Sequence, residues 1–99
     1  MKRGGVVYIM TRNNKRVLYT GVTSDLAMRV RQHKKKVFPK SFTSRYNCCL
    51  LVYYSSFTTI EEAIVEEKGI KGGSLSAKEK LISMSNPAWK DLWDEVKER

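Results

Sequence analysis

Gly5–Thr11 reads GVVYIMT, a run of β-branched, aromatic and long apolar side chains, and the turn-prone pair Asn13-Asn14 separates it from a second such run, RVLYTGV at residues 16–22. Side chains of these types fit a pleated surface, and two runs this close in the chain pair as a β-hairpin. Side chains alternate along a strand, so Val6, Tyr8 and Met10 share one face while Val7 and Ile9 share the other. Both faces of the first strand are apolar, which predicts cover on two sides, with helices supplying it.

Working outward, Ser24-Asp25 is a good N-cap pair for a helix running to about Lys34, in which Leu26, Val30 and His33 line one side. Residues 37–47 are polar and basic, hold one proline and have no periodicity, so they read as a loop. Residues 48–57 (CCLLVYYSSF) read as a third strand. Thr59-Ile60-Glu61-Glu62 has the form of a capping box opening a second helix, which Gly72-Gly73 closes. Ser76-Ala77-Lys78-Glu79 reads as another capping box, opening a helix to about Met84. Asn86-Pro87 then breaks the chain. Residues 88–97 (AWKDLWDEVK) read as a last helix whose Trp89, Leu92, Trp93 and Val96 share one face and close the core. The predicted order is β-β-α-β-α-α-α, an α+β fold with a small antiparallel sheet.

A chain of 99 residues has room for one domain, expected to span residues 1–99. Its 41% hydrophobic and 29% charged residues match a globular domain and exclude a disordered or collagen-like chain. The longest apolar run, residues 48–54, is far below the ~18 residues a spanning helix needs. The N-terminal Met-Lys-Arg leads into an apolar stretch too short for a signal region, so the reading is a cytoplasmic protein that does not engage a membrane. Cys48 and Cys49 are adjacent and lack further cysteines, which makes neither a disulfide framework nor a zinc site; both are expected reduced.

The formal charge is +9, and its distribution is lopsided. Twelve of the basic residues and a single acidic one, Asp25, fall within residues 1–60, whereas seven basic and nine acidic residues follow. The surplus centres on Arg29, Arg31, Lys34, Lys35, Lys36, Lys40 and Arg45, and phosphate backbones are the partner such a surface attracts.

At ~100° per residue around the second helix, Ile60, Ala63, Ile64 and Ile70 cluster on one side with Glu67 near the centre. A carboxylate in an apolar stripe needs a metal or an ionic partner, and Arg29 or Lys71 could be that partner. Arg29 and His33 stand four residues apart and so share a helix face. Arginine offers phosphate a planar fork of donors, and histidine can shuttle a proton near neutral pH. Tyr8 and Tyr19 lie on paired strands and read equally as core aromatics; Gly21 follows at a strand position where the missing side chain admits close approach.

Val6-Val7-Tyr8 and Tyr19-Thr20-Gly21 on consecutive strands, the helix SDLAMRVRQH at residues 24–33 and the later Glu67 together resemble the GIY-YIG nuclease domain. The stretches YTGVTSDLAMRVRQHK, LVYYSSFTTIEEAIVEEKGIKG and SNPAWKDL are similar to small single-domain bacterial members of that superfamily. The resemblance implies a three-stranded antiparallel sheet flanked by helices and metal-dependent cleavage of a phosphodiester. By it, Glu67 ligates one Mg²⁺ or Mn²⁺, with Glu66 one step away as the alternative register. Arg29 binds the phosphate, Tyr8 and Tyr19 are the motif tyrosines, Gly21 is the motif glycine, His33 is the histidine of some branches, and Asn86 corresponds to a late family asparagine. Tyr8 or Tyr19, relayed through His33, would take the proton of the attacking water. Val6, Val7 and Thr20 depart from the motif letters but remain strand formers.

The expected function is therefore a metal-dependent endonuclease on nucleic acid, DNA rather than RNA, in repair or processing. The expected state is a monomer, to which a protein partner could lend specificity. The competing reading is a non-catalytic or partner-dependent nucleic-acid-binding module on the same fold, held to its ligand by the basic face alone.

Overall fold

β1 (Gly5–Thr11) is the middle strand of a three-stranded antiparallel sheet ordered β2-β1-β3, with β2 (Leu18–Thr23) on one side and β3 (Leu50–Phe57) on the other. This is a computed structural model, and it describes residues 4–97. The hairpin register pairs Tyr8 with Gly21 and Met10 with Tyr19. Four of the five helices in the described residues follow the sheet closely: α1 (Leu26–Lys34), α3 (Ile60–Lys71), α4 (Leu75–Ser85) and the single turn α5 (Trp93–Val96); α2 (Phe42–Arg45) lies in the connection before β3.

As the alternation requires, the two faces of β1 enter two separate cores. Tyr8 and Met10 pack with Leu26 and Val30 of α1, with Leu51, and with Leu92 and Val96. Ile9 packs with Val52, Tyr53 and Ile82, against which Ile70, Leu81 and Trp89 lean. Gly5 lies under α3, where a Cβ would stand 2.6 Å from that of Ala63. The expected two-sided cover is thus present, with α1 and α5 on one face and α3 and α4 on the other.

β3 carries a feature that alternation cannot reveal. Its register with β1 steps from Ile9↔Tyr53 to Met10↔Leu51, which leaves Val52 as an extra residue. The bulge lets consecutive Val52 and Tyr53 both enter the core beneath α4, while Leu51 enters the opposite one. The carbonyl of Val52 accepts a hydrogen bond from Asn86 Nδ2 at 3.1 Å. Along the outer edge of the strand, Leu51 N–H donates to the Asp91 carboxylate at 3.1 Å and its carbonyl accepts from Leu92 N–H at 2.7 Å. An edge strand with open backbone groups invites pairing with other chains, and the C-terminal segment occupies this one.

The caps agree with expectation at two helices. Asp25 accepts from Met28 N–H at 3.1 Å, and Thr59 and Glu62 form the reciprocal capping box. Three expectations need correction. The cap of α4 is Ser74, which accepts from Ala77 N–H at 3.0 Å, so this helix begins two residues before the Ser76 box would have it. The stretch expected as loop contains α2, whose cap Ser41 accepts from Ser44 N–H. The last helix is only Trp93–Val96, because Trp89 takes a positive φ of 53° and the Asn86 side chain binds the backbone of Lys90 through both its amide atoms. Trp89 consequently packs into the core beneath α4 rather than sharing a face with Leu92, Trp93 and Val96. Cys48 and Cys49 are free, and both precede β3.

Candidate active site

Three elements converge on the α1 face. β1 supplies Tyr8, β2 supplies Tyr19, and α1 supplies Arg29 and His33, one turn apart on the side that packs toward the sheet. The Tyr8 hydroxyl lies 2.9 Å from His33 Nε2, and His33 Nδ1 lies 2.8 Å from Thr43 Oγ1 at the start of α2. Tyr19 meets the His33 ring edge-on at 5.6 Å and the Tyr8 ring at 6.2 Å. A Cβ on Gly21 would stand 2.6 Å from Tyr8 Cζ and Oη and 3.0 Å from Tyr19 Cε2. Gly21 is therefore glycine because two tyrosine rings close over it, which is the close approach expected from its strand position.

Burial sets the protonation of this group. The Tyr8 phenol is pushed upward, chiefly by burial and next by the neighbouring Tyr19, with Arg29 pulling in the opposite direction. His33 falls to about 4, chiefly by burial and further by the Arg29 charge. At neutral pH the imidazole is uncharged and the phenol keeps its proton. The phenol then donates to Nε2, which leaves the ring hydrogen on Nδ1 to donate to Thr43.

Arg29 is half-buried, and its Nη1 donates to Gln32 Oε1 at 3.3 Å. Its Nε is buried without a hydrogen-bond partner, the single such side-chain atom among the described residues. Phe38 lies against the guanidinium at 6.0 Å. Arg29, His33 and Tyr19 line a cleft of about 240 Å³, whose other walls are Phe38, Ser41, Phe42 and Thr43. Tyr8 lies beneath that lining, 1% exposed.

Glu67 belongs to a different part of the molecule. α3 covers the opposite face of the sheet, and Glu67 is not among the residues lining the cleft. Its side chain is 14% exposed and its carboxylate pairs with Lys71 Nζ at 3.1 Å, one of the two ionic partners its spacing allowed. Glu66 lies in the groove between α3 and α4, away from the cleft. No group of three or more His, Cys, Asp or Glu side chains among the described residues could hold a metal ion. Asn86 is buried and serves β3 and the turn after α4, away from the cleft.

The basic residues divide into free and committed ones. Lys35, Lys36, Lys40 and Arg45 are exposed. Lys34 is tied to the fold by an ion pair with Asp91 and a bond to the Cys49 carbonyl. Arg31 lies over the Trp93 ring at 5.5 Å and reaches the Lys97 carbonyl. No helix among the described residues is long and apolar enough to cross a membrane.

Sequence reasoning missed the far wall of the cleft, namely Phe38, Ser41, Phe42 and Thr43. A signal for part of it was available: Phe38, Phe42 and Tyr46 recur every four residues through the basic stretch.

No curated protein and no solved structure matches the chain. The family model of the GIY-YIG catalytic domain matches residues 4–80, which include the tyrosine strands, the Arg29–His33 helix and Glu67 but stop before Asn86. Domains of this kind are nucleases in general and act on nucleic acid with divalent metal ions. The match takes in the central tyrosine strand, the glycine beneath two rings and the Arg/His helix and covers most of the chain, and the chain belongs to the GIY-YIG family.

Proposed function

We propose that this domain is a divalent-metal-dependent endonuclease that hydrolyses phosphodiester bonds in DNA, in a repair or processing role. The observation that carries the reading is a guanidinium with a donor to spare, Arg29, beside a tyrosine hydroxyl and an uncharged imidazole in one cleft. The planar fork of Arg29 suits the scissile phosphate and offsets the charge that develops on its oxygens in the transition state.

Tyr19, half-buried in the cleft wall, is the hydroxyl placed to meet and orient the attacking water. Tyr8 keeps its own proton because of burial and so acts as a donor that fixes the His33 ring, with Thr43 holding the ring's other nitrogen. Glu67 is the residue that would hold the cation. Its carboxylate is the donor type that a hard ion of the magnesium kind takes, but it stands outside the cleft and is paired with Lys71, so the described side chains do not by themselves form a site for that ion at the scissile phosphate.

The test is cleavage of labelled DNA and RNA structures with Mg²⁺, Mn²⁺ or EDTA, running the wild type beside Glu67→Ala and Arg29→Ala purified identically. Metal-dependent products from the wild type alone support the reading. Equal products from all three proteins identify a contaminant, and salt-sensitive binding without products would leave a nucleic-acid-binding module on this fold. Loss of binding in Glu67→Ala, with cleavage per bound substrate unchanged, would remove the metal role of Glu67.

A further inference from the structure

Aromatic rings make up much of the cleft wall opposite α1, and several in and beside that wall are open to solvent. Phe38 is 50% exposed, Phe42 42% and Tyr46 41%. Tyr19, Phe42 and Tyr46 form a continuous row, with Tyr19 and Phe42 stacked at 5.9 Å and Phe42 and Tyr46 at 4.6 Å. Phe38 lines the same cleft as Phe42, with Arg29 beside it. Large apolar side chains left in water cost free energy, and a contiguous group of them marks a surface that receives something.

The surrounding charge says what it receives. Residues 26–60 contain no Asp or Glu, and Lys40 and Arg45 interleave with the rings in the chain. Arg45 lies over the Tyr46 ring at 5.9 Å. Aromatic faces alternating with cations bind an anionic chain that also carries flat apolar groups, which describes a polynucleotide whose bases are free. Bases inside a continuous duplex are stacked on both faces and offer only their edges, so they cannot use such rings.

Resting on the reading of the cleft as a phosphodiester site, we infer that its substrate carries at least one unpaired nucleotide next to the phosphate taken by Arg29, with the base stacked on Phe38 and the Phe42–Tyr46 row. The substrate class is single-stranded, flapped or locally unpaired nucleic acid, and blunt duplex is the wrong partner. Arg29 lies between the two functions, because Phe38 contacts the same guanidinium that faces the phosphate.

Binding in EDTA separates this inference from hydrolysis. Fluorescence anisotropy at one salt concentration compares a labelled single strand with the blunt duplex of the same length, each as DNA and as RNA. The wild type is expected to bind the single strand more tightly than the duplex. Phe38→Leu and Phe42→Leu keep apolar bulk and lose the ring face, and each is expected to weaken single-strand binding roughly tenfold, within the range for one stacked base, while duplex binding scarcely changes. Phe38→Trp is expected to keep the preference. A 2-aminopurine base in the single strand should be quenched on binding to the wild type and not to Phe38→Leu. Phe38 is exposed, so its variants remain informative if Phe42→Leu proves unstable in a thermal melt.

Equal affinity for both forms, no binding of either, or a preference that survives both leucine variants overturns the inference. If the wild type cuts blunt duplex as fast as single strand and Phe38→Leu does the same, the hydrolase reading stands and this one falls. If the ring-dependent preference appears without metal-dependent cleavage of any strand, this one stands and the hydrolase reading falls. Discrimination between the DNA and RNA strands would say which sugar the cleft accepts, with the ring dependence expected in both.

Discussion

Beneath α3 and α4, Ile9 meets Val52 and Ile82, and the packing is carbon on carbon. One residue earlier on the same strand, Tyr8 turns the other way and meets an imidazole, which meets a threonine hydroxyl. The first face asks of each residue only volume and apolarity. The second also has polar atoms to pair, since a buried donor or acceptor left alone costs about 1–3 kcal/mol, and Arg29 Nε is the one it leaves unpaired. The α1 face thus joins an apolar core to the candidate site while the other face carries a core, and substitutions at Ile9 and at Arg29 should have separable effects.

The sharpest way to break that division is Ile9→Ala. Truncating a fully buried isoleucine costs about 2–5 kcal/mol, so the denaturant midpoint should fall steeply while cleavage per folded molecule stays near wild type. A proportionate loss of specific activity would mean that the faces are coupled. Arg29→Ala should do the reverse. Its midpoint should move little, and its turnover should drop by roughly 10²–10³, the cost of removing a preorganised donor to developing charge.

The pH dependence of stability sharpens the comparison, because only the α1 face carries a buried titratable base. His33 sits at about 4 in the folded chain against 6.5 unfolded. Between these values the unfolded chain binds a proton that the folded one refuses. Stability is then complete above about pH 6.5 and declines as pH falls toward 4, by as much as about 3 kcal/mol. Urea titrations across that window should show the decline in the wild type and a flatter profile in His33→Gln. At the other end, the raised Tyr8 phenol should lose stability as pH climbs above about 10, where the unfolded phenol releases its proton first.

Gly21→Ala inserts a methyl between two rings that cannot both retreat, since Tyr8 is held by His33 and Tyr19 leans on Phe42. The overpacking should cost about 1–3 kcal/mol in a thermal melt and should also lower activity, a joint loss that neither face alone would produce. The smallest effect is expected at Lys35 and Lys36. Neutralising either should reduce the salt slope of nucleic-acid binding by about one and leave stability unchanged. An unchanged slope would remove that lysine from the binding face.

Much of this organisation is legible in the order of residues, and the illegible part has a common cause. GVVYIMT announces a strand with two apolar faces, and Asp25 and the Thr59–Glu62 box announce where helices start, because period and capping are local properties. The opening of α4 was legible only to within two residues, since Ser74 and Ser76 are both good caps and the choice depends on how the helix meets the sheet. The bulge at Val52 and the hold of Asn86 on it involve partners at least 34 residues distant, and the brevity of α5 turns on the positive φ of Trp89 and the grip of Asn86 on Lys90, which a helical period does not register. Thr43 is illegible for the same reason: its partner, the histidine it holds, is ten residues away in the chain.

The sequence by itself determined the two-faced central strand, the hairpin that carries Tyr8, Tyr19 and Gly21, the Arg29–His33 helix and the location of positive charge. Those follow from alternation, helical spacing and composition, which act over a few residues at a time. Only the tertiary structure decided that Tyr8 is a buried donor while Tyr19 faces the cleft, that His33 is neutral, that Lys34 serves the fold and that Glu67 pairs with Lys71 beneath the other side of the sheet. Burial and partnership across the chain set those outcomes, because the free energy of a polar or charged group depends on what surrounds it after folding and not on its neighbours in sequence.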